Sequence, residues 1–190
     1  MTFKKTAKTL PQGAHTLERK YYVNPDILEK EHDNIFLRNW ICAGRSSELS
    51  KSGQYKVISL GTESAIVLRD ETGNLKAHIN VCRHRGTRIC QESSGQFSKS
   101  IQCGYHGWTY GLNGDLIGAP HMDEVDGFNK NDYPLHSIPI AEWEGFIFIN
   151  FDDNAAPLMD NLEAWDFPKI YGPYQLGRLK LANKFTMDIP

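Results

Sequence analysis

Residues 82–86, Cys82-Arg83-His84-Arg85-Gly86 or "CRHRG", set a thiol and an imidazole one residue apart. Eighteen residues separate His84 from Cys103, which opens a second stretch, "CGYHG", ending at His106 and Gly107. Each stretch offers one thiolate and one imidazole and runs into glycine. In an extended chain, residues i and i+2 sit about 6–7 Å apart on one side, which suits ligands of adjacent metals better than ligands of one small ion. If the two loops face each other, both thiolates reach one metal and both imidazoles the other.

Two cysteines on one iron and two histidines on its neighbour are the ligands of a Rieske [2Fe–2S] centre. Replacing two thiolates by neutral imidazoles removes two formal negative charges, so an electron enters more easily and the reduction potential rises. Cys82, His84, Cys103 and His106 are therefore the candidate cluster and metal ligands. Gly86 and Gly107 would let backbone N–H groups approach the sulfurs. Arg85, Tyr105 and Trp108 are the remaining neighbours expected to shape the site. A structural zinc site uses the same residue types, but with C-x2-4-C and H-x3-5-H spacing. A zinc-stabilised module stays open as an alternative.

Outward from these loops the sequence reads as β structure. "SAIVLRD" and "LKAHINV" flank the turn "ETGN", and "WTYGLNGDLIG" carries a second turn at Asn113-Gly114 with an expected pair of positive φ angles. "SIPIAEW" and "GFIFINF" pair across Glu144-Gly145. Residues 40–152 thus form a unit of short antiparallel strands. Before it, "NPDILEKEHDNIFLRNW" predicts a helix with Asn24 as N-cap and Pro25 at N1, its apolar stripe being Ile27, Leu28, Ile35, Phe36 and Trp40. After it, a loop-rich stretch with one short helix leads to "RLKLANKFTMDIP", which alternates like a strand with Leu179, Leu181, Phe185, Met187 and Ile189 on one face. A half-buried strand needs a sheet to join, so the sequence is expected to stop early in a second domain.

Bulk properties narrow the partners. The 190 residues carry a formal net charge of -2, with bases and acids interspersed, which gives no electrostatic reason to expect nucleic acid. The longest apolar run, "FIFI", falls far short of the roughly 20 residues of a membrane span. The mildly basic start lacks an apolar segment after it, so no secretory signal is read and the cytoplasm is the default location. Four cysteines in such a chain favour metal or catalysis over disulfides.

The chain resembles the N-terminal part of the alpha subunit of Rieske non-haem iron oxygenases, the ring-hydroxylating family that includes demethylases and monooxygenases of quaternary amines. The matching text is "YYVNPDILEKEHDNIFLRNWICAGR", "NVCRHRGTRIC", "CGYHGWTYGLNGDL" and "IPIAEWEGFIFINF", across most of residues 20–152. One departure is Gly104, where the family usually has proline. The resemblance implies a mostly β fold: an N-terminal arm and helix (residues 1–39), a Rieske domain (40–152), and the truncated start of an α+β catalytic domain (153–190). It implies electron transfer to a mononuclear Fe(II), held in the missing catalytic part, for dioxygen-dependent hydroxylation or demethylation. It also implies a reductase or ferredoxin donor and a head-to-tail homotrimer. Respiratory Rieske proteins differ by an extra cysteine in each loop and a serine after the second histidine. Thr87, Tyr105 and Trp108 stand at those places, which implies a potential at the low end of the Rieske range. A free-standing Rieske ferredoxin carrier is the competing reading.

Other residues have plainer roles. Cys42 and Cys90 read as small buried hydrophobes, and His78 as a packed or half-exposed strand residue. His15, His32, His121 and His136 have no partner at metal spacing. Arg83, Arg85 and Arg88 read as a solvated loop face, with docking of an acidic partner as the functional alternative. Asp123, Glu124 and Asp126 read as a solvated loop.

Overall fold

Strand β3 (Glu63–Arg69) is the centre of the architecture, because it is buried on both faces. Ala65 and Val67 point into one apolar core while Ile66 and Leu68 point into another. The period of two in "SAIVLRD" places these pairs on opposite sides. The computed structural model describes residues 13–180 and 182–183.

Among the described residues, ten short strands make three antiparallel sheets. The first joins β1 (Ile41–Arg45), β10 (Phe146–Ile149) and β9 (Ile140–Trp143), with β10 between the other two. The second runs in the order β4 (Leu75–Ile79), β3, β2 (Gln54–Leu60) and β5 (Ser94–Gln96). Between these two sheets lies a core of Ala43, Leu49, Ala65, Val67, Ala77, Ile138, Ile147 and Ile149. The third sheet, β6 (Ser100–Gln102), β7 (Thr109–Gly111) and β8 (Leu116–Gly118), lies across the other core with Ile66, Leu68, Ile101, Tyr110 and Leu116.

The expected hairpins form. Across "ETGN", Asp70 Oδ1 accepts from Thr72 N, Thr72 Oγ1 and Asn74 N at 2.7–2.9 Å, and Gly73 takes a φ of 85°. At Glu144-Gly145 both residues have positive φ, 48° and 74°, as a tight two-residue turn requires. Asn113-Gly114 behaves otherwise: only Gly114 is left-handed, at 95°. Asn113 instead uses its side chain, with Oδ1 accepting from Asp115 N and Nδ2 donating to Asp115 Oδ2, so the loop is longer than a two-residue turn.

Among the described residues, the α-helices α1 (Lys20–Val23) and α2 (Pro25–Asn34) precede the β unit, and Asn24 Oδ1 accepts from Asp26 N as an N-cap does. The expected helix stops at Asn34, and of its apolar stripe Leu28, Ile35 and Phe36 are exposed while Ile27 and Trp40 are half-buried. Contact runs instead through His32, whose Nε2 lies 2.9 Å from Leu60 O, and Gly61 leaves room for that ring. Beyond β10 come α3 (Leu158–Ala164) and α4 (Phe167–Tyr171), then short 3-10 turns at Gly172–Tyr174 and Leu176–Arg178. Leu179, the first residue of the expected terminal strand face, is exposed and lies outside any strand, and the residues from Leu181 onward that would continue it fall outside the described residues, apart from Ala182 and Asn183. No helix among the described residues is long and apolar enough to cross a membrane.

Candidate metal centre

The two loops found by Cys/His spacing are built alike. In the first, Cys82 N donates to Thr87 O (2.8 Å) and Gly86 N to Cys82 O (3.0 Å). In the second, Cys103 N donates to Trp108 O (2.8 Å) and Gly107 N to Cys103 O (3.0 Å). Both glycines have a φ of 73°, a conformation that needs glycine four residues after each cysteine. That common C-x3-G pattern was present in the sequence and is the better alignment of the loops. It replaces the extended C-x-H segment expected from the sequence: residues 83–85 and 104–106 are turns. Each turn closes because the left-handed glycine sends its N–H back to the cysteine carbonyl.

The loops hang from paired strands. A bridge between Val81 and Arg88 closes the first, and the pairing of Gln102 with Thr109 closes the second. The result brings all four candidate ligands together in pairs. Cys82 and Cys103 are each 2% exposed, and their thiols lie within interaction distance of each other. The rings of His84 and His106 meet edge to face with centroids 4.7 Å apart. Among the described residues, no three His, Cys, Asp or Glu side chains gather around the position of a single ion. The grouping is two thiols and two imidazoles.

Their surroundings suit metal ligation. His84 Nδ1 is buried and has no hydrogen-bond partner among the described residues. Burial, then His106 and Arg85, hold His84 below the ordinary histidine range, which keeps the imidazole neutral, the ligating form. Burial pushes the Cys82 thiol up, opposed by Tyr110; a thiol in such a place becomes a thiolate by binding metal. A neutral imidazole with an orphaned ring nitrogen and two adjacent buried thiols are the ligand types that a [2Fe–2S] cluster takes.

Aromatic side chains back the pair unequally. His84 stacks on Trp108 at 4.8 Å and 11°, and Trp108 is 2% exposed, with Phe128 and Tyr133 against its edges. His106 stands on the exposed side with Tyr105 over it at 3.7 Å, and Tyr105 is 62% exposed. Tyr105 is therefore a cover at the rim, while Trp108 is a buried wall. Arg85 and Arg88 are exposed, and Arg88 Nη2 reaches Thr62 O at 3.4 Å. Arg83 departs from the solvated face: it is half-buried and its guanidinium lies on His136 Nε2.

Two residues of this neighbourhood escaped the sequence. Tyr110, fully buried in β7, has its hydroxyl 3.3 Å from Cys82 Sγ and accepts from Arg83 N at 3.0 Å. Because the oxygen is occupied as acceptor, its proton is left to point at sulfur. Asn80 pins the end of the first loop, donating to Cys90 O and accepting from Cys90 N. Cys90 is buried as expected, with its thiol raised to about 11 by burial. Cys42 is exposed, contrary to expectation, because it pairs with Phe148 on the outer face of the edge strand β1, opposite the face on which Ile147 and Ile149 are buried. His78 is packed, 1% exposed, with Nδ1 3.1 Å from Ser137 Oγ.

Comparison with known proteins agrees with this geometry. Residues 39–132 match the Rieske [2Fe-2S] domain family. The oxygenase subunit of carnitine monooxygenase from Escherichia coli (strain K12) is 33% identical over 180 residues, 95% of this chain and 48% of that protein. The alpha subunit of biphenyl 2,3-dioxygenase from Rhodococcus jostii (strain RHA1) is 31% identical over 153 residues, 80% of this chain and 33% of that protein. The apo crystal structure of the quaternary ammonium Rieske monooxygenase CntA superposes with a TM-score of 0.82 at 32% identity, covering 90% of this chain and 49% of the other. The chain thus spans about half the length of the first of these relatives. Residues 39–132 thus form a Rieske [2Fe-2S] domain, and the chain that carries it is similar to Rieske oxygenase alpha subunits.

Proposed function

We propose that Cys82, His84, Cys103 and His106 hold a [2Fe–2S] cluster, both thiolates on one iron and both imidazoles on the other. The observation that carries this reading is the pairing of two buried thiols with two touching imidazoles, one of which has an unpartnered buried nitrogen. When bound, the cluster supplies one-electron storage at a potential above that of an all-cysteine centre. Trp108, Phe128 and Tyr133 exclude water from the His84 side, and the Tyr110 hydroxyl supports the Cys82 sulfur. His106 and Tyr105 leave an exposed face through which an electron can pass.

In this reading the chain is the electron-carrying part of a Rieske oxygenase alpha subunit. Residues 1–39 are its arm and helix, 40–152 the cluster domain and 153–190 the beginning of the catalytic domain. The electron comes from a reductase or ferredoxin and goes to a mononuclear iron in the remaining half, for dioxygen-dependent hydroxylation or demethylation. A head-to-tail homotrimer would bring the His106 face to a neighbouring subunit. The carnitine enzyme overlaps 95% of the chain and the biphenyl enzyme 80%, which supports a quaternary ammonium substrate. Four free thiols fit the reducing cytoplasm.

The test is analysis of the purified chain for iron and acid-labile sulfide, with a visible spectrum and low-temperature EPR after reduction. Equal iron and sulfide with a Rieske-type signal, abolished in Cys103→Ser, is the expected result. A colourless protein with stoichiometric zinc would overturn the reading.

A further inference from the structure

At the end of β1 lies a buried cation that belongs to no part of the metal centre. Arg45 is 8% exposed, and its guanidinium lies 4.3 Å over the Phe146 ring. Nη1 donates to Glu144 O (2.9 Å), while Nη2 donates to Leu176 O (2.9 Å) and Leu179 O (2.6 Å). The three acceptors are backbone carbonyls from two remote segments, the β9–β10 turn and the turn at Leu176–Arg178. Desolvating a cation is expensive. The planar fork of arginine is the side chain able to tie several carbonyls at once; a lysine ammonium is a point charge without that geometry.

The facing turn grips the same segment. Glu144 holds a left-handed φ of 48°, unfavourable for a residue with a Cβ, and its Oε2 accepts from Gly177 N at 2.9 Å. A Cβ on the next residue, Gly145, would stand 2.6 Å from Arg45 Nη2. Glycine there leaves the guanidinium its place. Backbone strain, a buried charge and a required glycine thus converge on residues 176–179, a short turn with little burial of its own: Leu176 is half-buried and the other three are exposed.

We propose that Arg45 and Glu144 are positioning residues forming a latch that fixes the direction in which the polypeptide leaves the β unit. Its purpose rests on the proposed function: the segment leads into the catalytic domain of the same subunit, so the latch sets how that domain is held against the β unit and thereby how the cluster faces the neighbouring subunit of a head-to-tail ring. The latch itself can be read in the 190-residue chain without any acceptor.

Trypsin cuts after Arg178 only if the backbone there opens into an extended form. With the iron-loaded chain, Arg45→Met should speed cleavage after Arg178 about ten- to a hundredfold, the loss expected for hydrogen bonds to a charged group. The visible spectrum and midpoint potential should stay at their wild-type values. Glu144→Gln keeps an acceptor oxygen and should retain the slow exchange of the Gly177 amide, while Glu144→Gly relieves the φ strain yet should lose that protection. Wild-type cleavage of Arg45→Met, or equal Gly177 exchange in the two Glu144 variants, overturns the latch. If Arg45→Met does not fold, the Glu144 pair decides alone. Zinc in place of iron would sink the electron-transfer reading and leave the cleavage and exchange results standing.

Discussion

Replacing Tyr110 by phenylalanine removes one oxygen from a fully buried position and leaves the ring in place. Two contacts disappear: the hydroxyl 3.3 Å from Cys82 Sγ and the acceptor of Arg83 N at 3.0 Å. A hydrogen bond to an ionised acceptor contributes about 1.5–3 kcal/mol net. Cys82 is a thiolate in both oxidation states of the proposed cluster, so only the gain in strength on reduction, taken as about 1 kcal/mol, enters the potential. For one electron, 59 mV is a tenfold change, so the midpoint potential should fall by about 40 mV. The sign follows from charge: the hydroxyl proton favours the more negative, reduced state, and its loss disfavours reduction. The stranded Arg83 N–H should also destabilise the fold by about 1–3 kcal/mol. A redox titration followed by EPR reads the first effect and thermal unfolding the second. A potential that stays put or rises in Tyr110→Phe would refute the reasoning, since nothing else in the substitution adds a donor to sulfur.

Three further outcomes are expected. Burial tends to raise the Asp70 carboxyl, but the Thr72 hydroxyl, the N–H groups of Asn74 and Thr72, and Lys76 outweigh it and hold the group below its ordinary value. Its stabilisation is therefore present above the ordinary carboxylate range and lost as pH falls through the lowered folded value; Asp70→Asn should be about 1–2 kcal/mol less stable near neutrality and lose part of the acid limb of the stability profile, and an unchanged acid limb in urea titrations would count against this. Gly145→Ala should lower the urea midpoint through about 1–2 kcal/mol of left-handed strain, plus the clash with Arg45, and a wild-type midpoint would contradict it. Iodoacetamide should label exposed Cys42 first and leave Cys90, buried with its thiol near 11, unlabelled until the chain unfolds; peptide mapping showing the reverse order would contradict the burial assigned to them.

Local patterns were sufficient wherever the determining physics is local. The period of two marked β3 and β4, and turn residues marked the "ETGN" and Glu144-Gly145 hairpins, because side-chain alternation and positive φ depend on near neighbours. Cys82, His84, Cys103 and His106 stood out for a chemical reason, since few structures need thiol and imidazole twice at such spacing. The same local reading failed for the N-terminal apolar stripe: α2 ends at Asn34, and Leu28, Ile35 and Phe36 are exposed, because burial depends on what packs against the segment. It failed for Cys42, whose face of the edge strand is set by its pairing with Phe148, more than a hundred residues away. At Asn113 it chose the wrong device, because a side-chain hydrogen bond competed with the backbone turn.

By itself, then, the sequence determined that this is a mostly β chain with two matched Cys/His loops, and which four side chains those loops offer. Only the tertiary structure decided that both thiols are buried beside each other, that the two imidazoles touch, and that one imidazole backs onto Trp108 while the other faces out under Tyr105. It alone brought Tyr110 to Cys82 across 28 residues of chain, and Arg45 to Leu176 and Leu179 across 131 and 134. Ligand identity is written in residue type and spacing. Burial, charge and hydrogen-bond partners are properties of the space between segments, which exists only after the sheets have paired.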